Sequence, residues 1–423
     1  MSWQQSVESN GALLIFSDDW GRHPSSCQHL TRHLLQRYPV TWVNTIGTRA
    51  PRLNLATAQR ALEKLRDWTR RNDVKTGGDE QSGQSSRDGV PDARPEVVSP
   101  RMWPWFSQKS DRKLNRWLLR RQLQPLIERM PRPVTALTTL PITADLAGVL
   151  PVDRWVYYCV DDFSQWPGLD GDTLRRMDRE MIRKADSIVA VSETLQSMIA
   201  TEGRVSTLLT HGVDVDFWKR PQTDTRITCR VDELLPKDVP LIVFWGVADR
   251  RMNTASLRAL SKALRTEKIV IVGPTQDPDP AICSLPNVVM LPALPIETLP
   301  YVAAKAAVLI MPYSDLPVTR AMQPLKLKEY LATGRPVVAN HLPSVEPWVD
   351  CLDSACNPEQ FASLVLLRLR TGTPISQRLG RKRLEDESWS VKAMLLEEHF
   401  CSRIVSARSA ADQVGFIPEI ITG

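Results

Sequence analysis

The sequence predicts an α/β protein built from two doubly wound domains, and two observations carry that expectation. Short apolar runs alternate with helical stretches, and the same grammar occupies both halves of the chain. The runs are near-continuous in hydrophobicity rather than alternating, as parallel strands buried on both faces are.

In the first half the strand runs are ALLIF (12–16), VTWV (40–43), EVV (96–98), VTAL (134–137), WVYYCV (155–160), SIVAV (187–191) and STLL (206–209). A polar connector near Lys219–Asp238 follows. The second half gives LIVFW (241–245), KIVIV (268–272), VVML (288–291), AVLIM (307–311) and PVVA (336–339). One segment departs from the grammar. Asn72–Pro95 is rich in Gly, Ser, Asp and Gln with little to bury, and reads as a disordered surface insertion. No short internal repeat is visible; the halves match in plan only.

A length of 423 residues suggests two or three domains. The hydrophobic fraction of 42% and charged fraction of 24% are those of an ordinary globular protein. No run of about 18 uncharged apolar residues exists, so no membrane-spanning helix is expected. The stretch MSWQQSVESNGALLIF lacks a basic leader and a long apolar core, so it does not read as a signal peptide. A formal charge of +6 permits contact with phosphates or an anionic membrane surface without requiring either. The seven cysteines are scattered, odd in number and without a Cys-x-x-Cys pair. They read as reduced thiols of a cytoplasmic protein rather than a zinc site.

In open parallel sheets, ligands bind beyond the carboxyl ends of the strands, so the turns there hold the candidate site residues. After the first strand comes SDDWGRHPSS, with Gly21, Arg22 and His23 ahead of a helix that begins near Ser25 or Ser26. Such a turn offers free N–H groups to an anion or a sugar hydroxyl. It lacks the GxGxxG dinucleotide fingerprint. After Val160 come Asp161 and Asp162. Neighbours on a strand point to opposite faces, so at most one faces a cleft while the other caps the next helix. The pair Asp214-x-Asp216 in THGVDVDFW resembles a metal-binding DxD but reads better as a hinge-side turn, and no metal is expected. After Trp245, Gly246 lets the backbone approach a ligand. Arg250 and Arg251 follow, suited to a diphosphate. Gly273 opens the turn after Val272.

The richest stretch is QPLKLKEYLATGRPVVA (323–339). Pro324 suits the first position of a helix, and Leu327 and Leu331 face the sheet. Lys326 and Glu329 share a face, and Gly334 suits a left-handed cap. The pair is either an exposed ion pair or a carboxylate for ribose hydroxyls beside a cation for phosphate.

The run PLKLKEYLATGRPVV resembles the donor-site motif of GT-B glycosyltransferases. The likeness is to the large retaining group that includes bacterial polysaccharide and lipid-linked mannosyl- and glucosyltransferases. ADSIVAVSETL (185–195), THGVDVDFW, VGP with LPNVVML (272–291) and ESWSVKAMLLEEHF (387–400) agree in type and order. The resemblance covers most of residues 11–400. It implies the GT-B fold, two Rossmann-like domains facing a deep cleft. Residues 1–220 would bind acceptor, completed by a C-terminal helix in 391–423, and 221–390 would bind a nucleotide-sugar.

In that likeness Glu329 matches the carboxylate on the nucleotide ribose, and Arg250–Arg251 lie where cations meet the diphosphate. Gly246, Gly273, Gln323 and Lys326 complete the expected donor side. Asp161 and Asp162 are the catalytic candidates, of which one would face the cleft, and Gly21, Arg22 and His23 form the expected acceptor side. Two departures stand out. Ala321 occupies the position of a frequent upstream Glu, and Asp161–Asp162 fall where a histidine is usual.

The implied reaction moves a sugar from a nucleotide diphosphate to a sugar or lipid-linked acceptor hydroxyl, with retention, in polysaccharide or glycolipid synthesis. No cofactor beyond the nucleotide-sugar is expected. Two alternatives are a GT-B nucleotide-sugar epimerase or hydrolase, for which Asp161, Asp162, His23 and His29 are the available groups, and a non-catalytic member of a polysaccharide-assembly complex. Residues 101–121 hold seven Lys/Arg against one Asp, interleaved with Trp103, Trp105, Phe106 and Trp117. That pattern suits peripheral attachment at the inner face of a membrane. No nucleic-acid-binding motif accompanies it.

Overall fold

The computed structural model describes residues 11–22, 25–44, 93–166, 168–220 and 224–400. His23, most of the insertion expected at 72–95, and residues 401–423 of the final segment lie outside the described residues.

Near-continuous apolar runs form two parallel sheets. The first contains β1 (Ala12–Ser17), β2 (Val40–Asn44), β3 (Glu96–Val98), β4 (Val134–Thr138), β5 (Arg154–Cys159), β6 (Ser187–Ala190) and β7 (Thr207–Leu208). The strand order is β3-β2-β1-β4-β5-β6-β7. The second half supplies β8 (Leu241–Trp245), β9 (Ala248–Asp249), β10 (Lys268–Val272), β11 (Thr275–Gln276), β12 (Val288–Leu291), β13 (Ala306–Met311), β14 (Val337–Asn340) and β15 (Asp353–Ala355). Its main sheet runs β12-β10-β8-β13-β14-β15, and β9 and β11 pair apart from it. The short edge strand β15 and the β9–β11 pair lack the apolar runs that mark the other strands.

Both orders reverse at the first strand of their sheet, between β1 and β4 and between β8 and β13. These are the topological switch points, where the loops part and open a crevice. Each sheet has its own core. In one, Val243, Phe244, Ile271 and Ile310 are buried, and in the other Leu14, Ile15, Leu137 and Val156.

The chain crosses between lobes twice. Val213 on the outward pass bridges Ser388 on the return. The final described helix, Trp389–Glu397, then packs Trp389, Ala393 and Leu396 into the first lobe's core. Tyr38 Oη donates to Glu397 (2.8 Å), and Arg154 Nε to the His399 carbonyl (2.7 Å). Among the described residues, no helix is long and apolar enough to cross a membrane.

Candidate functional site

The second switch point is built by two turns sewn together. After β8, Gly246 N–H donates to the Val272 carbonyl (2.9 Å), and Ala248 N–H to that of Pro274 (2.9 Å). Gly246 and Gly273 have φ of +139° and +148°, and a Cβ on Gly273 would fall on the Gly246 carbonyl. Only glycine allows two strand-end turns to touch in this way. A Cβ on Gly246 would overlap the Lys326 ammonium, so the missing side chain is what lets Lys326 lie against that turn. Farther along, Ser314 N–H donates to the Arg251 carbonyl (2.7 Å) and Asn253 N–H to that of Pro312 (2.7 Å). The turn after β8 is thereby tied to the turn after β13.

The helix Leu325–Ala332 enters this site from the side. Pro324 sits at its N-cap, one position earlier than the sequence suggests, and Gly334 follows its C-cap with φ +76°. Leu327 and Leu331 are buried, which turns Lys326 and Glu329 to the crevice. Lys326 Nζ is bonded to Tyr313 Oη and lies over the rings of Phe244 (4.8 Å) and Tyr313 (4.9 Å). No carboxylate is within ion-pair distance of it among the described residues. Glu329 Oε2 accepts from the Trp245 indole (3.2 Å). Burial pushes its carboxyl up to about 7, against the opposing pull of Trp245 and Lys326.

The two arginines part company. Arg250 is exposed and paired with Asp277 (3.1 Å). Arg251 is only 9% exposed. Asp249 holds it through Nε (2.9 Å) and Nη2 (2.7 Å). Its guanidinium lies over the Trp166 ring of the first lobe (4.6 Å). Gln323, expected among the donor contacts, accepts from the His211 N–H (2.8 Å) and so joins the lobes.

On the first lobe the two adjacent carboxylates differ. Asp162 caps the turn Phe163–Gln165, accepting from Ser164 N–H (3.0 Å) and Oγ (2.6 Å). Asp161 makes no such bond among the described residues. Burial raises its carboxyl to about 7, Arg251 pulls it down and Asp162 pushes it up. Asp161 is therefore the member of the pair within electrostatic reach of Arg251 on the opposite lobe. At the first switch point, Gly21 N–H donates to Gln28 (3.1 Å), and Asp18 is held by Ser25 (2.9 Å) and Gln28 (2.8 Å). Arg22 is exposed and paired with Asp19 (3.3 Å).

His29, weighed as an acid–base group, lies flat against Trp389 at 4.7 Å. Burial, Arg32 and His33 push it down to about 3, so it stays neutral. Asp214 caps the helix Val215–Lys219 through Phe217 N–H (2.9 Å). Among the described residues no metal-binding cluster of three or more His, Cys, Asp or Glu occurs.

Sequence reading missed Tyr313, Trp166, Asp249, Trp245 and Lys328 as members of this region. Tyr313 carried a signal, since it lies in the turn after β13 as Gly246 lies in the turn after β8. Trp166 carried none, because its role depends on the other lobe.

This architecture is the GT-B fold, and comparison with solved structures agrees. Anabaena Alr3699/HepE in complex with UDP and glucose superposes with a TM-score of 0.63 at 13% identity, covering 92% of this chain and 98% of that one. Sucrose-phosphate synthase from Thermosynechococcus elongatus gives 0.64 at 14%, covering 92% and 97%. The α,α-trehalose 6-phosphate synthase of Burkholderia multivorans gives 0.60 at 12%, covering 96% and 99%. A stretch of 61 residues is 48% identical to TuaH of Bacillus subtilis (strain 168), named for a glycosyltransferase role in teichuronic acid biosynthesis. That match spans 14% of this chain and 15% of the relative's length. No protein-family model matches the chain.

Proposed function

We propose that this protein is a glycosyltransferase. It would move a sugar from a nucleotide diphosphate to an acceptor hydroxyl, with retention, in making a cell-surface polysaccharide or glycolipid. The observation that carries the reading is the pairing of Lys326 and Glu329 at the second switch point. There a cation without an ion-pair partner among the described residues and a carboxylate held by one indole lie beside the Gly246–Gly273 turns. A diphosphate matches the first and ribose hydroxyls the second. Arg251 adds a second cation, with Arg250 and Gln323 at the margin. The likeness to HepE, solved with UDP and glucose, and the short match to the TuaH glycosyltransferase support the same class.

The difficult step is departure of the diphosphate as positive charge grows on the sugar. Fixed cations beside the leaving group lower that barrier without reorganising. Contact between the lobes excludes water and brings donor and acceptor together. In this reading Asp161 would meet a hydroxyl of the acceptor, with Gly21 and Arg22 on the acceptor side.

The acceptor is proposed to be lipid-linked and met at an anionic membrane. Helix Lys109–Ile127 presents Leu114 (40% exposed) and Trp117 (54% exposed) outward. Lys113, Arg116, Arg120 and Arg121 are exposed beside them. Trp103 instead bonds inward to Asn115 (2.7 Å) and Asp111 (3.2 Å), and Phe106 is buried. Vesicle co-sedimentation should require anionic lipid and weaken in Trp117→Ser; sedimentation indifferent to lipid charge would end this part of the reading.

Ala321 favours a second reading, a non-catalytic sugar-nucleotide binder. It is buried against the first lobe, and its carbonyl accepts from Ser192 Oγ (2.6 Å), so no acidic side chain reaches the sugar from there. Incubation with a panel of nucleotide-sugars, with and without membrane extract, separates the two. Acceptor-dependent nucleotide release is expected; binding without turnover would transfer the assignment to the second reading.

A further inference from the structure

We propose that Trp166 of the first lobe is a positioning residue of the donor site: its ring holds the Arg251 guanidinium against the diphosphate position when the lobes meet. The inference rests on the donor-site reading above and extends it to a residue on the opposite lobe.

Five side chains form a continuous stack across the crevice. Trp166 lies against Arg251 at 4.6 Å, and Arg251 in turn lies 5.8 Å from the Tyr313 ring. Lys326 is over Tyr313 at 4.9 Å and over Phe244 at 4.8 Å. Aromatic faces thus alternate with two cations. Asp249 compensates Arg251, while no carboxylate pairs with Lys326 among the described residues. Asp161 and Glu329 also lie within electrostatic reach of Arg251 and Lys326, but only Asp249 forms an ion pair with either cation among the described residues. Both cations therefore keep capacity for an anion, and π faces reduce the cost of holding them there.

Trp166 is in the stack for its ring and not for its N–H. Its indole nitrogen is shielded from solvent and has no acceptor among the described residues. A buried donor without a partner is unfavourable. What the residue does offer is a flat face to a cation from the other lobe. Its place is set by the Asp162-capped turn Phe163–Gln165, so the capping carboxylate acts on Arg251 through the ring.

This separates a positioning role from a merely structural one. Loss of the ring should affect ligands that carry the diphosphate and spare those that do not. Calorimetric titration of the full chain with UDP, UMP and uridine reads this directly, alongside the melting temperature. Trp166→Leu should bind UDP roughly tenfold more weakly, the size of a partly desolvated cation–π contact. Uridine affinity should be unchanged, and UMP should fall between. Trp166→Phe should stay within about threefold of wild type, since it keeps a face and removes the orphaned N–H.

The partner from the other lobe gives a second route should Trp166→Leu fail to fold. Arg251→Gln should show the same UDP-selective loss, and adding Trp166→Phe to it should change UDP binding no further. Equal losses for UDP and uridine, or none in Trp166→Leu, would overturn the assignment. A wild-type protein that binds no nucleoside diphosphate would remove the donor site itself, which is a different failure.

Discussion

Two faces of one short helix do opposite things with their charges. On the crevice face of Leu325–Ala332, Lys326 and Glu329 carry few protein partners. On the hinge face, Lys328 is 2% exposed and fully engaged. Its ammonium bonds to Glu387, to the His211 carbonyl and to Thr210 Oγ1 (3.0 Å). Lys392 reaches the same Glu387 oxygen at 2.8 Å. The hinge cluster gathers the outgoing connector, the helix Leu325–Ala332 and the returning segment at one carboxylate. Polar groups saturated by the protein fix the lobes; those left short of partners await a ligand.

The largest effect expected from this contrast is at the hinge. Glu387→Ala leaves two buried ammonium groups sharing no counter-ion and should cost about 3 kcal/mol of stability, read as a lowered melting temperature. Lys328→Met should cost less, because Glu387 keeps Lys392. Burial and Lys392 already pull Lys328 down to about 8, while Glu387 holds it up. A larger loss in Lys328→Met than in Glu387→Ala would contradict this ranking.

On the crevice face the order reverses, with binding affected and stability spared. Glu329→Ala should weaken nucleotide binding about 10- to 100-fold, the value of one or two hydrogen bonds to a charged group. Its melting temperature without ligand should not fall. An unchanged affinity in titration would reduce Glu329 to a structural partner of Trp245. Gly246→Ala should lose less, roughly tenfold, through displacement of Lys326 and strain at φ +139°.

The smallest effect is a pH dependence. The folded Glu329 carboxyl titrates near 7, above its ordinary value of 4.5. The folded state therefore binds the extra proton between those values, and stability without ligand falls as pH rises through that window. Nucleotide affinity should move the other way, strengthening a few-fold from pH 6 to 8 as the carboxylate forms. Asp161 also titrates near 7. Glu329→Gln should flatten the affinity profile, whereas Asp161→Asn should leave it and act on turnover. A profile unaltered in Glu329→Gln would assign the titration elsewhere.

The fold was legible because strands buried on both faces leave unbroken apolar runs, as in LIVFW and KIVIV. The short strand Asp353–Ala355 was not, since an edge strand of three residues needs no such run. Of the candidate site, the shared face of Lys326 and Glu329 was legible, because helical periodicity puts residues three apart together. The site was not legible where contacts run between lobes. Arg250 and Arg251 look equivalent in sequence, yet one pairs with Asp277 at the surface and the other crosses to Trp166. Lys328 sits between the two recognised residues, and only the return of the chain at Glu387 distinguishes its role.

The most direct test of the central claim is a thermal-shift titration of the wild-type chain with UDP, ADP and GDP, repeated on Lys326→Met with Glu329→Ala. A ligand that binds the native state raises the melting temperature. At least one nucleoside diphosphate should raise it in the wild type and lose that effect in the double variant. No shift with any of the three, or an equal shift in both proteins, would contradict a nucleotide site at the second switch point.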